Sequence, residues 1–278
     1  MTTHHGVLMC PPTYFEVRDV KNPFMASGGV VNRERALEQW EALRHAFERA
    51  GVTTATIEPV EDLEDMVFAA NQVFVGSTAA GARFIVPSRM RYASREREVP
   101  HYVRWFAERG FDVLELGLDD EDYLEGHGDL LWHPGSRHVW AGYGFRSSRG
   151  GVARFAAAME PQRITVTPLE LIDETFYHLD TCFAPLDEEA ALVFAPALSE
   201  ASLEILRAAW PRLHEVSRED ANRFACNGVA VNGHFIASHL SGAVAAIVSA
   251  EGLEPTIVDT SEFEKAGGSI FCLKTFLD

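Results

Sequence analysis

The segment NRERALEQWEALRHAFERAGVTTATI, residues Asn32 to Ile57, decides the predicted fold. Its apolar side chains recur at the 3.6-residue spacing of an amphipathic helix, which Asn32 is placed to cap and Gly51 to end. The predicted buried face consists of Ala36, Leu37, Trp40, Leu43 and Phe47. Residues Val52 to Ile57 then have the character of a strand, so the segment predicts a helix–turn–strand unit.

Four similar units follow along the chain, at intervals of about 43 to 59 residues. Their predicted helices lie around Val99–Phe106, around Val152–Met159, after a cap at Ser199 and after Ser238, and their strands are Phe111–Leu116, Ile164–Val166, Leu213–Val216 and Thr256–Val258. Five copies of one unit predict an α/β fold in which each unit packs on its neighbours as a five-bladed propeller. A doubly wound α/β sheet gives a similar alternation and is the alternative.

Short strands between these elements complete pseudo-symmetric ββαβ-type units. They are predicted at Gly6–Cys10, Gln72–Gly76, Arg83–Val86, His138–Gly142, Phe176–Phe183 and Leu192–Ala195. Asn232 and Gly233 predict a type I′ hairpin turn, and Ser261 with Glu264 predicts a capping box. The stretch Thr13 to Asn32 has the composition of a loop. No linker divides the chain, so residues 1–278 are predicted to form a single domain.

The charge of the chain limits its partners. With a net charge of −17, the protein repels phosphate groups, which argues against nucleic acid and anionic membranes and favours a small cationic ligand. No apolar run reaches the roughly 18 residues of a membrane span, and no signal pattern opens the chain, so a cytoplasmic location is expected. The four cysteines form no close pair, which predicts free thiols and no structural zinc.

The C-terminal stretch GSIFCLKTFLD, residues Gly268 to Asp278, places one of these cysteines in a strand-like apolar run. Such a strand would carry Cys272 into the body of the protein. A buried, inert thiol is one interpretation, because free cysteine is often fully buried. A nucleophile is the other, and it requires partners from elsewhere in the chain.

One set of candidate partners lies in the predicted strand Phe176 to Phe183. Because residues i and i+2 share a face of a strand, His178 and Asp180 are expected to project together. A histidine beside a carboxylate serves as a general acid and base, and the carboxylate can also receive a cation. The alternative is a core histidine with a neighbouring hydrogen bond.

A second set lies in the sequence EGHGD, residues Glu125 to Asp129. Glu125, His127 and Asp129 allow a metal site, although their spacing fits no strong ligand motif. They equally allow a carboxylate pocket for a cationic group, or an acidic turn. Arg146, on a glycine-bracketed turn, is a candidate for binding a substrate carboxylate.

Seven motifs occur in one order along nearly the whole chain: MCPPTYFEVRDVKNPFM (Met9–Met25), ANQVFV (Ala70–Val75), SRMRYASREREVPHY (Ser88–Tyr102), EGHGD (Glu125–Asp129), GYGFRS (Gly142–Ser147), FYHLDTCFAPL (Phe176–Leu186) and GGSIFC (Gly267–Cys272). On these motifs the chain resembles the guanidino-group-modifying superfamily of five-bladed α/β propellers. That superfamily includes arginine deiminases, dimethylarginine dimethylaminohydrolases and amidinotransferases. The similarity is greatest to its compact bacterial branch, which includes ornithine-forming arginine dihydrolases.

The resemblance implies a role for each matching residue. Cys272 matches the family's nucleophile and His178 its general acid and base. Glu125 matches the carboxylate that holds the guanidinium and orients the histidine. Asp180 matches a second guanidinium-binding acid, and Asp129 is a further candidate for substrate binding.

The substrate's other end is assigned in the same way. Arg95 and Arg146 match arginines that hold the α-carboxylate, although the neighbours of Arg95 depart from the usual pattern. Asn71 stands where deiminases and dimethylarginine hydrolases have an aspartate. Together with Asn22, it resembles the dihydrolase branch.

The implied reaction is hydrolysis of the guanidino group of arginine or an N-methylated arginine through a covalent Cys272 thiouronium. The product is citrulline or, after a second hydrolysis, ornithine. The resemblance implies a small guanidino substrate, no metal and no organic cofactor. A homodimer is a candidate assembly. The alternatives are an amidinotransferase that passes the amidino group to an amine, and a non-catalytic arginine-binding protein. A cysteine peptidase is disfavoured, because paired acids suit a cation better than a peptide carbonyl.

Overall fold

The computed structural model describes residues 4–27 and 29–278, which form five three-stranded sheets. The strands are β1 Gly6–Met9, β2 Thr53–Thr56, β3 Val73–Ser77, β4 Arg83–Pro87, β5 Asp112–Val113, β6 Leu130–Trp132, β7 His138–Tyr143, β8 Thr165–Glu170, β9 Phe183–Pro185, β10 Ala190–Val193, β11 Arg212–Glu215, β12 Val229–Val231, β13 His234–Ala237, β14 Glu254–Ile257 and β15 Thr275–Phe276. Unit 1 contains β15, β1 and β2, and units 2 to 5 contain β3–β5, β6–β8, β9–β11 and β12–β14.

The helices lie between and after these strands. They are α1 Pro23–Ser27, α2 Arg33–Arg49, α3 Ala93–Glu96, α4 Val99–Ala107, α5 Gly126–Asp129, α6 Arg149–Met159, α7 Glu200–Ala209, α8 Arg218–Asn222, α9 Gly242–Ala250 and α10 Ser261–Glu264. Within each unit, the first strand is antiparallel to the second, and the second is parallel to the third. The parallel pair is joined by a helix, α2, α4, α6, α7 or α9, as a parallel connection requires. None of the helices in the described residues is both long and apolar enough to cross a membrane.

The three strands of each unit differ in how deeply they are buried. The first strands are mostly buried, whereas the third strands are largely exposed or half-buried. Four apolar clusters then join units 1 and 2, units 2 and 3, units 3 to 5, and unit 5 back to unit 1. This cyclic packing confirms the predicted α/β fold with five ββαβ-type units and rules out the doubly wound sheet.

The local signals in the opening segment are largely confirmed. The side chain of Asn32 accepts a hydrogen bond from the Arg35 amide at 3.1 Å, and Gly51 takes the left-handed conformation after α2. One residue of the predicted buried face is wrong, because Leu37 is 48% exposed while Trp40 is buried. The hairpin is confirmed, with positive φ at both Asn232 and Gly233.

Two predicted strands are wrong in the places that matter most for function. Of the predicted strand Phe176–Phe183, only Phe183 lies in an observed strand, β9. Two 3-10 turns, Glu174–Phe176 and Leu179–Thr181, precede β9. The C-terminal stretch likewise forms a turn around Cys272 before β15 begins. In both turns, side chains form hydrogen bonds with backbone groups that would pair with a neighbouring strand if the segment were extended. Thr181 Oγ1 donates to the His178 carbonyl in the first turn, and Asn227 Oδ1 accepts from the Cys272 amide in the second.

Two smaller corrections concern helices. The loop predicted from Thr13 to Asn32 contains the short helix α1. The predicted capping box of Ser261 and Glu264 is wrong, because Thr260 occupies the N-cap of α10 and its Oγ1 donates to the Glu264 side chain at 3.0 Å rather than accepting from a backbone amide. The other predicted strands agree with the observed ones to within a few residues.

Gly126 provides a test of how tightly units 2 and 3 pack. Its φ is +48°, and a Cβ there would lie 2.7 to 2.8 Å from three backbone carbonyl oxygens of residues 70–73. We expect Gly126→Ala to lower the free energy of unfolding by about 3 to 5 kcal/mol through strain and overpacking. Gly110→Ala is the matched control, with positive φ but open space, and should cost about 1 to 2 kcal/mol. Equal losses in urea denaturation would contradict the tight contact.

Candidate active site

The candidate site is built from one position in each unit, the turn just before its first strand. This position is occupied by Asn71 in unit 2, Glu125 in unit 3, His178 and Asp180 in unit 4, Asn227 in unit 5 and Cys272 in unit 1. All six side chains are at least 97% buried. The cyclic packing therefore gathers residues that lie up to about 200 positions apart in the chain.

Cys272 is held between two of these residues. Its Sγ donates to Asp180 Oδ2 at 3.1 Å and accepts from Asn227 Nδ2 at 3.3 Å. Asn227 Oδ1 also accepts from the Ser269 amide at 3.0 Å, which fixes the turn that carries the thiol. The predicted pairing of Cys272 with Asp180 is thus present, but a turn rather than a strand provides it.

His178 faces Glu125 on the other side of the site. Its Nε2 lies 2.9 Å from Glu125 Oε2, which also accepts from Arg146 Nη1 at 2.7 Å. With Nε2 protonated toward the carboxylate, Nδ1 is the basic nitrogen, and no described residue forms a hydrogen bond with it. The arrangement orients the imidazole and leaves one nitrogen for proton transfer.

Arg146 is packed against aromatic rings as well as against Glu125. Its guanidinium carbon lies 4.8 Å from the Tyr92 ring centroid and 4.9 Å from that of Tyr177. Both faces of a planar cation are suited to such contacts. Only one of its five N–H groups is used on Glu125, so the others remain for a ligand carboxylate.

Arg95 forms more hydrogen bonds within the protein than Arg146 does. It donates to both carboxylate oxygens of Glu98, at 3.3 and 3.0 Å, and to the backbone carbonyls of Asp65 and Phe68. Its Nη1 donates to Asn71 Oδ1 at 3.0 Å. The amide oxygen of Asn71 is therefore oriented toward the arginine, and its Nδ2 has no hydrogen-bond partner in the described part of the chain.

Asp129 lies behind the histidine rather than in the pocket. Its Oδ1 accepts from the Leu179 amide at 3.1 Å, and its Oδ2 accepts from the amide and hydroxyl of Ser147. The predicted direct substrate contact is therefore not supported. Asp129 instead holds the turn that carries His178 and Asp180.

The metal interpretation of the EGHGD sequence also fails on geometry. His127 accepts from the Val75 amide through Nε2 at 3.0 Å and bonds the Leu130 carbonyl through Nδ1, so both ring nitrogens are used by the backbone. Burial lowers the pKa of His127 to about 3, which keeps the ring neutral. Residues 4–27 and 29–278 contain no cluster of side chains suited to a metal.

Asn22 forms part of the pocket wall. Its Nδ2 donates to the Ala266 carbonyl at 2.9 Å, and its Oδ1 accepts from the Met25 amide at 3.1 Å. Tyr177 donates to the Gly267 carbonyl at 2.7 Å on the same side. The nitrogen and the oxygen of the Asn22 side-chain amide are therefore both engaged by the backbone of the pocket wall.

These residues surround a narrow, nearly closed pocket with about 10 Å³ of free space for water-sized molecules. It is lined by Asn22, Met25, Asp65, Phe68, Asn71, Arg95, Arg146, Tyr177, His178, Ala266, Gly268 and Cys272. Larger clefts occur elsewhere on the described surface, but none contains this set of reactive side chains. The chemistry therefore identifies the small pocket as the candidate active site.

Burial and neighbouring charges set the protonation of the site. Burial raises the pKa of Asp180 to about 7, and it raises the pKa of Cys272 well above its usual range with further contributions from Asp180. Burial acts the same way on Glu125, but Arg146 and His178 outweigh it and hold that pKa well below its usual range. The resting site thus combines a neutral thiol with an ionised Glu125.

Three residues in or next to the site were missed from the sequence: Asp65, Glu98 and Asn227. None belongs to a motif whose spacing alone indicates chemistry. Asn227 carries the one available signal, since it precedes the first strand of its unit as Cys272 does in unit 1. Alignment of the five units on their first strands would have identified it.

Comparison with known proteins places the chain among enzymes that act on arginine derivatives. A model of the family described as N,N dimethylarginine dimethylhydrolase, eukaryotic, matches residues 11–275. The chain is 36% identical over 264 residues to the N(G),N(G)-dimethylarginine dimethylaminohydrolase of Mycobacterium tuberculosis, covering 95% of this chain and 83% of that protein. It is 36% identical over 271 residues to the bifunctional arginine dihydrolase/ornithine cyclodeaminase ArgZ of Synechocystis sp., covering 96% of this chain but only 37% of ArgZ.

A solved structure shows where the similarity to ArgZ lies. The N-terminal domain of ArgZ, a cyanobacterial arginine dihydrolase, was solved bound to its substrate and has a TM-score of 0.90 to this chain at 34% identity. The match covers 98% of this chain and 97% of that domain. A variant of the same domain was solved covalently bound to a reaction intermediate.

The buried Arg146–Glu125 pair provides a test of the site's electrostatics. Arg146→Met leaves Glu125 as an uncompensated buried charge, so we expect a loss of about 3 to 5 kcal/mol in the free energy of unfolding. Arg154→Met is the control, because Arg154 pairs with Asp119 on the surface and its loss should cost less than about 1 kcal/mol. Urea denaturation at pH 7 measures both. Similar losses for the two variants would contradict the ionised Glu125.

Proposed function

The chain belongs to the N,N-dimethylarginine dimethylhydrolase family, and we propose that it hydrolyses the guanidino group of arginine or an N-methylated arginine through Cys272. The predicted resemblance to guanidino-modifying enzymes is thereby confirmed. The observation that carries the residue assignment is the contact of Cys272 Sγ with Asp180 at 3.1 Å, in a pocket shared with His178. A carboxylate beside a thiol suits a cationic substrate, because the cation neutralises the one and activates the other.

Substrate binding is the activating step in this proposal. A guanidinium that donates to Asp180 competes with the thiol for the carboxylate and places positive charge beside Sγ. Both effects lower the pKa of Cys272, which the free protein holds high. Asp180 Oδ1 has no hydrogen-bond partner among the described residues, so one acceptor is available without breaking a contact. The thiol proton then passes to Nδ1 of His178, and the thiolate attacks the guanidinium carbon.

His178 carries protons in both directions. As an imidazolium held by Glu125, it protonates the departing amine, and a thiouronium on Cys272 remains. Neutral again, it takes a proton from a water molecule that attacks the same carbon. Loss of the sulfur regenerates the thiol and releases a ureido amino acid, so one water is consumed for each amine released. Glu125 acts here by orienting His178 and stabilising its charge.

The substrate's amino-acid end is assigned to the rim of the pocket. Arg146 has free N–H groups and aromatic packing, which suits it to bind the α-carboxylate. Arg95 acts mainly by orienting Asn71, because Glu98 and two backbone carbonyls already occupy most of its donors. Asp65 lines the same pocket and is suited to the α-ammonium group.

Asn71 is the residue that we propose selects the final product. Because Arg95 holds its amide oxygen, its Nδ2 is the group available to a ligand. An N–H donor matches the oxygen of a neutral ureido group and matches a guanidinium poorly. The site can therefore retain citrulline for a second hydrolysis, which yields ornithine, carbon dioxide and a second ammonia.

The competing functions differ in what happens to the covalent intermediate. An amidinotransferase would pass it to an amine, whereas an arginine-binding protein would not form it. Water is favoured as acceptor because the pocket is narrow and His178 has a free nitrogen beside it. We further propose that the five units act as one catalytic domain, while a homodimer and a cytoplasmic location remain predictions.

Cys272→Ala tests the covalent step. We expect loss of at least 10⁴-fold in turnover of arginine with retained binding, because no other group in the pocket is a comparable nucleophile. Products from arginine, dimethylarginine and citrulline are measured by mass spectrometry, with and without glycine as an acceptor amine. Cys10→Ala is the control, since Cys10 is buried outside the pocket. Residual turnover in Cys272→Ala contradicts the nucleophile, and an amidinated glycine identifies a transferase.

Asn71→Asp tests product selection. A carboxylate at this position favours the guanidinium over the ureido group, so we expect the ornithine-to-citrulline ratio to fall at least tenfold. Asn222→Asp, at an exposed position of α8, controls for the added charge. An unchanged product ratio in Asn71→Asp, with turnover preserved, would rule out this role for Asn71.

A further inference from the structure

Lys274 is a buried cation that the reaction described above does not use. It is one of three lysines in the chain and has no exposed surface. Its Nζ has no hydrogen-bond partner in the described residues. The ammonium lies 3.1 Å from the centroid of the Phe271 ring and 4.4 Å from that of Phe276, so aromatic faces are its closest neighbours.

Such a position is unfavourable for folding. Burial of a lysine charge without a hydrogen-bond partner is unfavourable, because the charge loses its hydration. Contact with aromatic rings offsets only part of that free-energy cost. An apolar residue of the same length would fill the space without this penalty. A feature that opposes stability in the interior is therefore expected to serve the site.

The titratable groups around Lys274 come from three parts of the fold. Unit 4 supplies Asp180 and the C-terminal turn supplies Cys272, and both act on Lys274 electrostatically. The helix α5 supplies His127, which is neutral. Lys274 follows Cys272 by two residues, and its amide donates to the Phe271 carbonyl at 3.4 Å, so the lysine and the nucleophile belong to one turn.

We propose that the Lys274 ammonium is a positioning charge that stabilises the anionic forms of Cys272 and Asp180. The substrate cation approaches the pair from the pocket, and Lys274 does not line that pocket. Lys274 therefore provides a fixed cation within the protein. It acts on the thiolate that forms during attack and on the carboxylate that holds the guanidinium. Lys274 does not touch the substrate and transfers no proton in this role.

The protonation of the neighbours supports this assignment. Burial lowers the pKa of Lys274 to about 7, while Asp180 and Cys272 act in the opposite direction. Burial likewise raises the pKa of Asp180 to about 7, and Lys274 is among the groups that oppose it. Lysine and aspartate therefore titrate in the same range, and removal of the ammonium shifts Asp180 and Cys272 toward their neutral forms near pH 7.

The proposal rests on the proposed function for its significance but can be tested without turnover. Alkylation of Cys272 by iodoacetamide, followed by peptide mass spectrometry across pH 5 to 10, reports thiol ionisation in the free protein. We expect Lys274→Met to slow alkylation at least tenfold at pH 6, where the native lysine is charged, and to leave the rate above about pH 9 unchanged, where the native lysine is neutral. Lys274→Arg retains the charge and should remain within about threefold of the native protein.

Turnover and stability distinguish positioning from a structural role. In Lys274→Met the acid limb of kcat/KM should move to higher pH by at least half a unit, because Asp180 loses a neighbouring cation, while Tm is unchanged or raised because a buried charge is removed. Lys265→Met is the control, since that lysine pairs with Glu262 near the surface. An unmoved alkylation profile overturns the proposal, as does a fall in activity with a lowered Tm and an unmoved acid limb. If alkylation responds but no guanidino compound is turned over, only the proposed function fails.

A second measurement uses the native lysine directly. Only three lysines contribute to the NMR spectrum of protein labelled at the lysine side chain, and Lys274→Arg assigns the buried one. Coupling between sites is reciprocal, so Asp180→Asn should lower the titration midpoint of Lys274 by at least half a pH unit. An unchanged midpoint would overturn the proposal even if Lys274→Met failed to fold.

Discussion

The antiparallel pairing of β1 with β15 is the contact on which both the fold and the site depend. It joins the two ends of the chain, with Val7 opposite Phe276. Without β15, unit 1 would be a parallel pair that lacks the first strand present in every other unit. Because Cys272 lies three residues before β15, the pairing that completes unit 1 also places the thiol against Asn227 and Asp180. The pairing that closes the ring of five units therefore also brings Cys272 into contact with Asn227 and Asp180.

The site's charges follow from its burial. Glu125 faces both Arg146 and His178, so its charge is compensated within hydrogen-bond distance. Asp180, by contrast, has only a thiol and no cation within that distance among the described residues. The resting site therefore contains one carboxylate that is stabilised by the protein and one that a bound cation can stabilise. In the proposed reaction, this difference makes substrate binding, rather than folding, the step that ionises Cys272.

Local features of the sequence were predicted well because their causes are local. The cap at Asn32, the turn at Gly233 and the buried face of α2 each depend on residues within a few positions. The conformation around Cys272 was predicted wrongly as a strand, because apolar composition does not reveal that Asn227, 45 residues earlier, takes up the backbone amides. The hydrogen-bond partners of Asp129 could not be predicted for the same reason, since Ser147 and Leu179 lie 18 and 50 residues away in the sequence.

The repeated position before each first strand explains why so much of the site still followed from motifs. The fold requires a turn there in every unit, but it constrains the residue type in that turn only weakly. One ring of turns can therefore present Asn71, Glu125, His178, Asn227 and Cys272 to a common centre while the strands behind them keep the same packing. Substrate choice is then expected to change by exchange of turn residues, and a neutral amide in place of a carboxylate at residue 71 is such an exchange. In the proposed function, the fold sets the positions of the reacting groups and the turn residues set the choice of substrate.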